Sequence, residues 1–230
     1  MKLSIIIPVY NESSTVLSVI NKVRNVNTGT EKEIIVIDGA STDGTQEVLR
    51  NEAAKSDLIV IFEDKREGKG AAVRKGFEAA TGDYIIIQDG DLELSPDEFP
   101  SLLRPLIEDM ADAVYGSRFY NGKGKLKIIN YAGNYAATQA INLLFFTNFT
   151  DTQTGYKLFK KDLLQGITLH HNGFTFDTEI TLRFIEKKIR FTEVPVKYEP
   201  RTVLQGKKLQ LRIGFLVLYN IIKFRFTGRL

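Results

Sequence analysis

The sequence predicts an α/β protein: a single domain built on one mostly parallel sheet with helices on both faces. Three observations predict it. Short apolar runs alternate with helix-period segments as far as Asp89, the layout of parallel strands joined by crossover helices. Four such runs recur, so they should be neighbours in the sheet, with both of its faces covered. Each run is followed by polar residues, and three of the run ends carry carboxylates, at the edge where open α/β sheets bind ligands.

The elements follow in order. LSIIIPVY begins close to Met1, but its apolar stretch is short and lacks a small-residue cleavage pattern, so it reads as a first strand and not as a leader. A helix over about Ser14 to Val26 leads to the strand EIIVID. A second helix over about Thr45 to Lys55 leads to LIVIFED, and a third over about Gly70 to Ala80 leads to DYIIIQD. The second half is less regular. It is expected to hold a strand near ADAVYGSRF, a helix over about Ile128 to Phe146 and a loop DTQTGYKLF. A helix over about Asp177 to Lys188, a strand RFTEVPVKY and a last helix over about Leu209 to Phe226 complete it. Residues 1–208 are read as the catalytic domain and 209–230 as an appended basic amphipathic helix.

Composition narrows the function classes. At 230 residues the chain is long enough for one sizeable core. A net charge of +3 is too small to make nucleic acid a partner across the whole surface, although the last thirty residues are basic. There is no cysteine, which excludes disulfides and thiolate metal sites, leaves oxygen or nitrogen as the only metal donors, and suits a reducing cytoplasm. No window approaches the roughly 20 apolar residues that span a bilayer.

The strand ends carry the chemistry. Asp89 and Asp91 flank Gly90 directly after IIIQ, so both carboxylates can approach one divalent cation while the glycine leaves room for phosphate oxygens; Glu93 can complete the set. Mg²⁺ or Mn²⁺ held this way would neutralise charge on a departing diphosphate. The same stretch, DLELSPDE, also suits the cap of the next helix. In DGASTDGT, Asp43 or Thr42 fits a helix cap, whereas Asp38 at the strand end can accept hydrogen bonds from a nucleobase or ribose. Lys69 stands at a helix start whose glycines and amides can receive phosphate. His170 and His171 read as surface residues.

Taken together these segments resemble family 2 glycosyltransferases of the GT-A fold, near the dolichol-phosphate mannose synthase and polyprenyl-phosphate branch. The resemblance rests on IIIPVYNES, VIDGASTDGT, EGKGAAVRKGF, TGDYIIIQDGDLEL, ADAVYGSRF, DTQTGYKLFKKDL and YEPRTVLQGKKL, in the family's order. It implies that Pro8, Tyr10, Glu12, Ile37 and Asp38 line the nucleoside pocket and that Asp89 and Asp91 are the DxD metal motif, with Glu93 near the ion. Arg118, Arg201 and Lys207 would hold diphosphate or acceptor phosphate, beside the Lys69 and Gly90 already singled out from the residues. Asp91, Arg118 and Asp151 would serve catalysis, with Asp151 or Glu179 as the base if the acceptor is a hydroxyl. The implied reaction moves a hexose from a GDP- or UDP-sugar to a polyprenyl phosphate with inversion, at the cytoplasmic face of a membrane. Alternatives are a soluble or glycan hydroxyl acceptor, or a nucleotide-sugar-binding module. In the last helix Lys208, Arg212, Tyr219 and Lys223 fall on one side and Ile213, Leu216, Val217 and Phe224 occupy much of the rest. Such a helix can lie on an anionic membrane, meet a membrane-protein partner, or pack on its own core.

Overall fold

The first strand, β1 (Lys2–Val9), sets the pattern of the sheet: Leu3, Ile5, Ile7 and Val9 turn to one face and Ile6 to the other, all buried. A strand apolar on both sides demands cover on both sides. The computed structural model of the chain describes residues 1–55, 58–120, 128–201 and 211–230, with side chains in all of them except 128–130 and 211–212. Beyond β1 the strands are β2 (Glu31–Asp38), β3 (Ile59–Phe62), β4 (Tyr84–Ile87), β5 (Ala113–Ser117), β6 (Lys157–Lys160) and β7 (Phe191–Pro195). The helices are α1 (Val16–Asn25), α2 (Thr45–Ala53), α3 (Lys69–Ala79), α4 (Phe99–Ile107), α5 (Ile128–Phe145), α6 (Phe176–Glu186) and α7 (Leu211–Thr227).

One sheet forms in the order β3-β2-β1-β4-β6-β5-β7. The first four strands are parallel, and Val9 lies opposite Asp38, which lies opposite Phe62. Their carboxyl ends therefore open side by side onto one edge. The segment KLFK, expected within a loop, is instead the strand β6, antiparallel to both β4 and β5. Its four residues are too few for a periodicity signal, and its neighbours decide its conformation. β7 then runs parallel to β5.

Helices α1, α2 and α4 cover one face through Val16, Ile20, Leu49, Phe99 and Leu103; α3, α5, α6 and α7 cover the other through Val73, Ile141, Ile180 and Ile221. Gly76 lets α3 approach closely, because a β-carbon there would overlap Ile6 Cγ2. The terminal helix belongs to the same core. Val217, Ile221 and Phe224 are buried, and the Phe224 ring packs 6.1 Å from that of Phe145 in α5. The boundary expected at 208/209 lies outside the described residues.

Candidate active site

Three loops leave the carboxyl edge of the sheet after β1, β2 and β4, and each contains a non-glycine residue in the left-handed region: Asn11 (φ 56°), Ala40 (φ 57°) and Leu92 (φ 60°). Such backbones cost roughly 1–3 kcal/mol each and persist where surrounding bonds over-determine them. Those bonds are present. Asn11 N–H donates to Ser41 Oγ at 2.8 Å, Thr42 N–H to Asn11 Oδ1 at 2.9 Å, and Glu12 N–H to Thr45 Oγ1 at 2.9 Å. Asp43 accepts from the Thr45 amide at 3.0 Å and from Ser13 N–H at 3.0 Å, but the cap position expected of it is taken by Gly44, whose left-handed backbone (φ 96°) opens α2.

Within this frame Asp38 is completely buried; its Oδ2 accepts from Ser41 N–H at 2.9 Å and Gln46 Nε2 at 3.0 Å. Tyr10 is 36% exposed and carries the Arg66 guanidinium 3.9 Å above its ring centre. Ile37 is placed otherwise than expected. Its side chain lies in the core beneath α3, so only its backbone faces the edge.

Asp89 and Asp91 project beyond β4, and each meets one cation. Lys69 Nζ is 2.8 Å from Asp89 Oδ1, and Arg201 Nη2 is 3.6 Å from Asp91 Oδ2. Arg201 also binds Glu12 Oε2 at 2.7 Å, and Thr15 Oγ1 joins that carboxylate (2.7 Å) to the Gly90 carbonyl (2.8 Å). Behind Asp89 runs an alternating chain of charge: Lys69 reaches Asp177 at 3.5 Å, and Asp177 reaches the fully buried Lys157 at 3.3 Å. Burial alone would push the Asp177 carboxyl up, but Lys157 and Lys69 hold it below its ordinary value. Burial would likewise lower the Lys69 ammonium, and Asp177 and Asp89 hold it up. Lys157, with only a share of one carboxylate, is pushed down by its burial.

Several expected site residues turn out to be braces. Asp151 has no exposure and holds Arg118 in a two-pronged pair at 2.7 and 2.9 Å, so its carboxylate is turned to the guanidinium and closed to solvent. Glu179, also buried, accepts the His170 and His171 amides at 2.8 Å each. The start of α3, expected to offer amides to phosphate, is closed: Gly70 N–H donates to the Asn172 carbonyl at 2.7 Å. His170 is exposed as expected and His171 half-buried. Gly90 leaves room for Val9, since a β-carbon there would come within 2.7 Å of Val9 Cγ1. Lys207 lies outside the described residues.

Two hard carboxylate oxygen donors, 27% and 26% exposed, suit a divalent cation whose remaining positions are filled by diphosphate oxygens and water. Among the described residues no three His, Asp or Glu side chains cluster to hold an ion by themselves. Glu93 accepts instead from Tyr198 Oη at 2.6 Å and from Arg201 N–H at 2.9 Å, fastening the chain at 198–201 over the site.

Lys157, Asp177 and Gly155 adjoin the candidate site through Lys69 and Asp89, and sequence reasoning did not single them out. A lysine inside the apolar stretch GYKLF was the one available signal for the first. Gly155 has none, because its importance is a close approach: a β-carbon there would overlap Asp89 Oδ2. Gly155→Ala should therefore turn the Asp89 carboxylate away and lower transfer activity at least tenfold, with melting changed by only a few degrees. Activity within twofold of the parent would mean that Asp89 need not hold this position.

Residues 4–168 match the family model described as Glycosyl transferase family 2. Glycosyltransferase AglJ of Haloferax volcanii is 32% identical over 225 residues, which are 95% of this chain and 71% of that protein. Dolichol-phosphate mannosyltransferase of Pyrococcus furiosus is 30% identical over 91% of this chain, which spans 61% of that longer protein. Undecaprenyl-phosphate mannosyltransferase of Micrococcus luteus is 29% identical over 100% of this chain and 96% of its own. Among solved structures, glucosyl-3-phosphoglycerate synthase of Mycobacterium tuberculosis, in complex with Mn²⁺, UDP and glucosyl-3-phosphoglycerate, aligns with a TM-score of 0.74. It covers 100% of this chain and 81% of that one at 19% identity, a likeness of fold. The architecture is therefore GT-A. The family match covers the very strands and loops that assemble this acidic crevice, and the chain belongs to glycosyl transferase family 2.

Proposed function

We propose that the chain transfers a hexose from a nucleoside-diphosphate sugar to a polyprenyl phosphate, inverting the anomeric carbon, with Mg²⁺ or Mn²⁺ held by Asp89 and Asp91. Bound there, the ion would neutralise charge on the departing diphosphate. Arg201 and Lys69, now turned to carboxylates, supply further positive charge beside the same space. The acceptor's phosphate oxygen attacks the anomeric carbon as the bond to the diphosphate breaks, and the nucleoside diphosphate departs.

The observation that carries the acceptor class is the state of the two candidate bases. Asp151 and Glu179 are both buried and committed, to Arg118 and to two backbone amides respectively. A hydroxyl acceptor needs a base within reach, whereas a phosphate arrives already anionic at neutral pH. The names of the Pyrococcus and Micrococcus relatives point the same way.

The outer side of α7 supports delivery from a lipid surface. Phe215, Leu216, Tyr219, Ile222 and Phe226 are 49–78% exposed on it, Leu143 on its neighbour α5 and Phe146 just past the end of α5 are exposed as well, and Arg225 and Arg229 stand at its end. Apolar side chains rimmed by cations suit the headgroup region of an anionic membrane. Among the described residues no helix is long and apolar enough to cross a membrane; the attachment proposed through α7 is to the surface of the cytoplasmic face.

The test is release of nucleoside diphosphate from a panel of nucleotide sugars, with Mg²⁺, Mn²⁺ or chelator, with and without a short polyprenyl phosphate. Release that needs both metal and lipid phosphate is expected. Release driven equally well by glycan hydroxyls would overturn the acceptor, and no release at all would overturn the proposal.

A further inference from the structure

Two carboxylate oxygens at the donor end of the crevice are buried without a hydrogen-bond partner among the described residues: Asp38 Oδ1 and Glu63 Oε2. Both residues are more than nine-tenths buried, Asp38 fully and Glu63 with 6% exposure. They belong to one corner. Glu63 follows β3 and its N–H donates to the Asp38 carbonyl at 2.9 Å. Gly39 leaves a gap there: a β-carbon on it would sit 3.6 Å from Glu63 Oε2, 3.8 Å from Tyr10 Cβ and 3.4 Å from the Val9 carbonyl. The second oxygen of each acid is already engaged, Asp38 Oδ2 by Ser41 and Gln46, Glu63 Oε1 by Lys75 at 2.7 Å. What remains is two free acceptor oxygens, and the Tyr10 ring with the Arg66 guanidinium stacked on it.

A buried carboxylate oxygen left unpaired is unfavourable, so a ligand that brings two hydrogen-bond donors to this corner binds with an advantage. On the reading of the chain as a nucleotide-sugar transferase, we infer that the corner selects guanine, with Asp38 and Glu63 accepting from its N1–H and its 2-amino group. Guanine is the common base that presents a ring N–H and an amino group side by side. Uracil presents one N–H flanked by two carbonyl oxygens, so a second carboxylate would face an acceptor. Adenine and cytosine place a ring acceptor beside their amino group. Arg66 is matched to the guanine O6, since a guanidinium is donor-only. Glu63 is thus a specificity-determining residue, and the donor is a GDP-sugar.

Isothermal titration of the full chain with Mn²⁺ and GDP, IDP or UDP tests this. IDP keeps N1–H and lacks the 2-amino group, so it reports on one contact. GDP is expected to bind about tenfold more tightly than IDP, and UDP at least about tenfold more weakly than GDP. In Glu63→Gln the amide oxygen stays with Lys75 and the NH₂ group turns to the base. GDP should then weaken about tenfold while UDP holds or improves. GDP and UDP affinities within twofold in the parent chain would overturn the inference and leave the proposed function standing, and equal weakening of both by Glu63→Gln would do the same. Absence of binding by any of the three would overturn both. Should the variant fail to fold, the parent comparison of GDP, IDP and UDP decides alone.

Discussion

Replacing Asp89 with Asn is expected to lower sugar transfer about a thousandfold while leaving the fold intact. The substitution keeps shape and removes charge. It strips the proposed ion of one of its two protein ligands and leaves Lys69 with Asp177 alone on its protein side. A single preorganised electrostatic contact to the developing charge is worth about a hundredfold to a thousandfold, and loss of an ion's grip on the leaving group belongs at the upper end. Stability should change little, because Asp89 is 27% exposed and such positions move melting by only a few degrees. The measurements are initial rates of nucleoside diphosphate release and a thermal melt, together with Mn²⁺-dependent nucleotide binding. Binding should lose its dependence on Mn²⁺ in the variant. Turnover within tenfold of the parent would remove Asp89 from the reaction.

The second large effect is on stability. Lys157→Met should destabilise the chain by about 3–5 kcal/mol, the usual consequence of removing one partner of a buried ion pair. The Lys157 ammonium has no exposure; it donates to the carbonyls of Thr152 at 3.2 Å and Thr154 at 2.6 Å and neutralises Asp177 at 3.3 Å. Methionine fills the volume but leaves two carbonyls unpaired and Asp177 with Lys69 alone. For a chain of this size the melting temperature should fall by about 10 °C. Because Thr154 adjoins Gly155, against which Asp89 is seated, activity measured well below the melt should also drop. A melt within about 2 °C of the parent would show that the alternating charges are not the brace of the site.

The first half of the fold was legible because its strands are apolar and its helices periodic, and both are local signals. β1, β2, β3 and β4 come at the expected places, and parallel pairing brings Asp38, Asp89 and Asp91 to one edge. β6 was not legible. KLFK is short, carries a lysine at each end, and becomes a strand only because β4 and β5 leave a slot between them. Among the candidate site residues, Asp38, Asp89, Asp91, Lys69 and Arg201 are picked out by type and position along the chain, and the fold brings them to one edge of the sheet. What lies opposite a side chain is not legible in that way. Asp151 and Glu179 have the chemistry of bases but are sealed by Arg118 and by two amides. Ile37 adjoins Asp38 in sequence, yet alternation along the strand turns it to the other face of the sheet, into the core.

By itself the sequence determined the architecture, the family and the acidic strand ends, because hydrophobic period and motif spacing are properties of neighbours along the chain. Only the tertiary structure decided which acids are open and which are paired, that α7 shares the catalytic core while leaving an apolar face outside, and that Glu63 stands beside Asp38. Those are facts of burial and of partners far apart in sequence, such as Glu12 and Arg201. A carboxylate's chemistry follows from its solvation and its neighbouring charges, and folding supplies both.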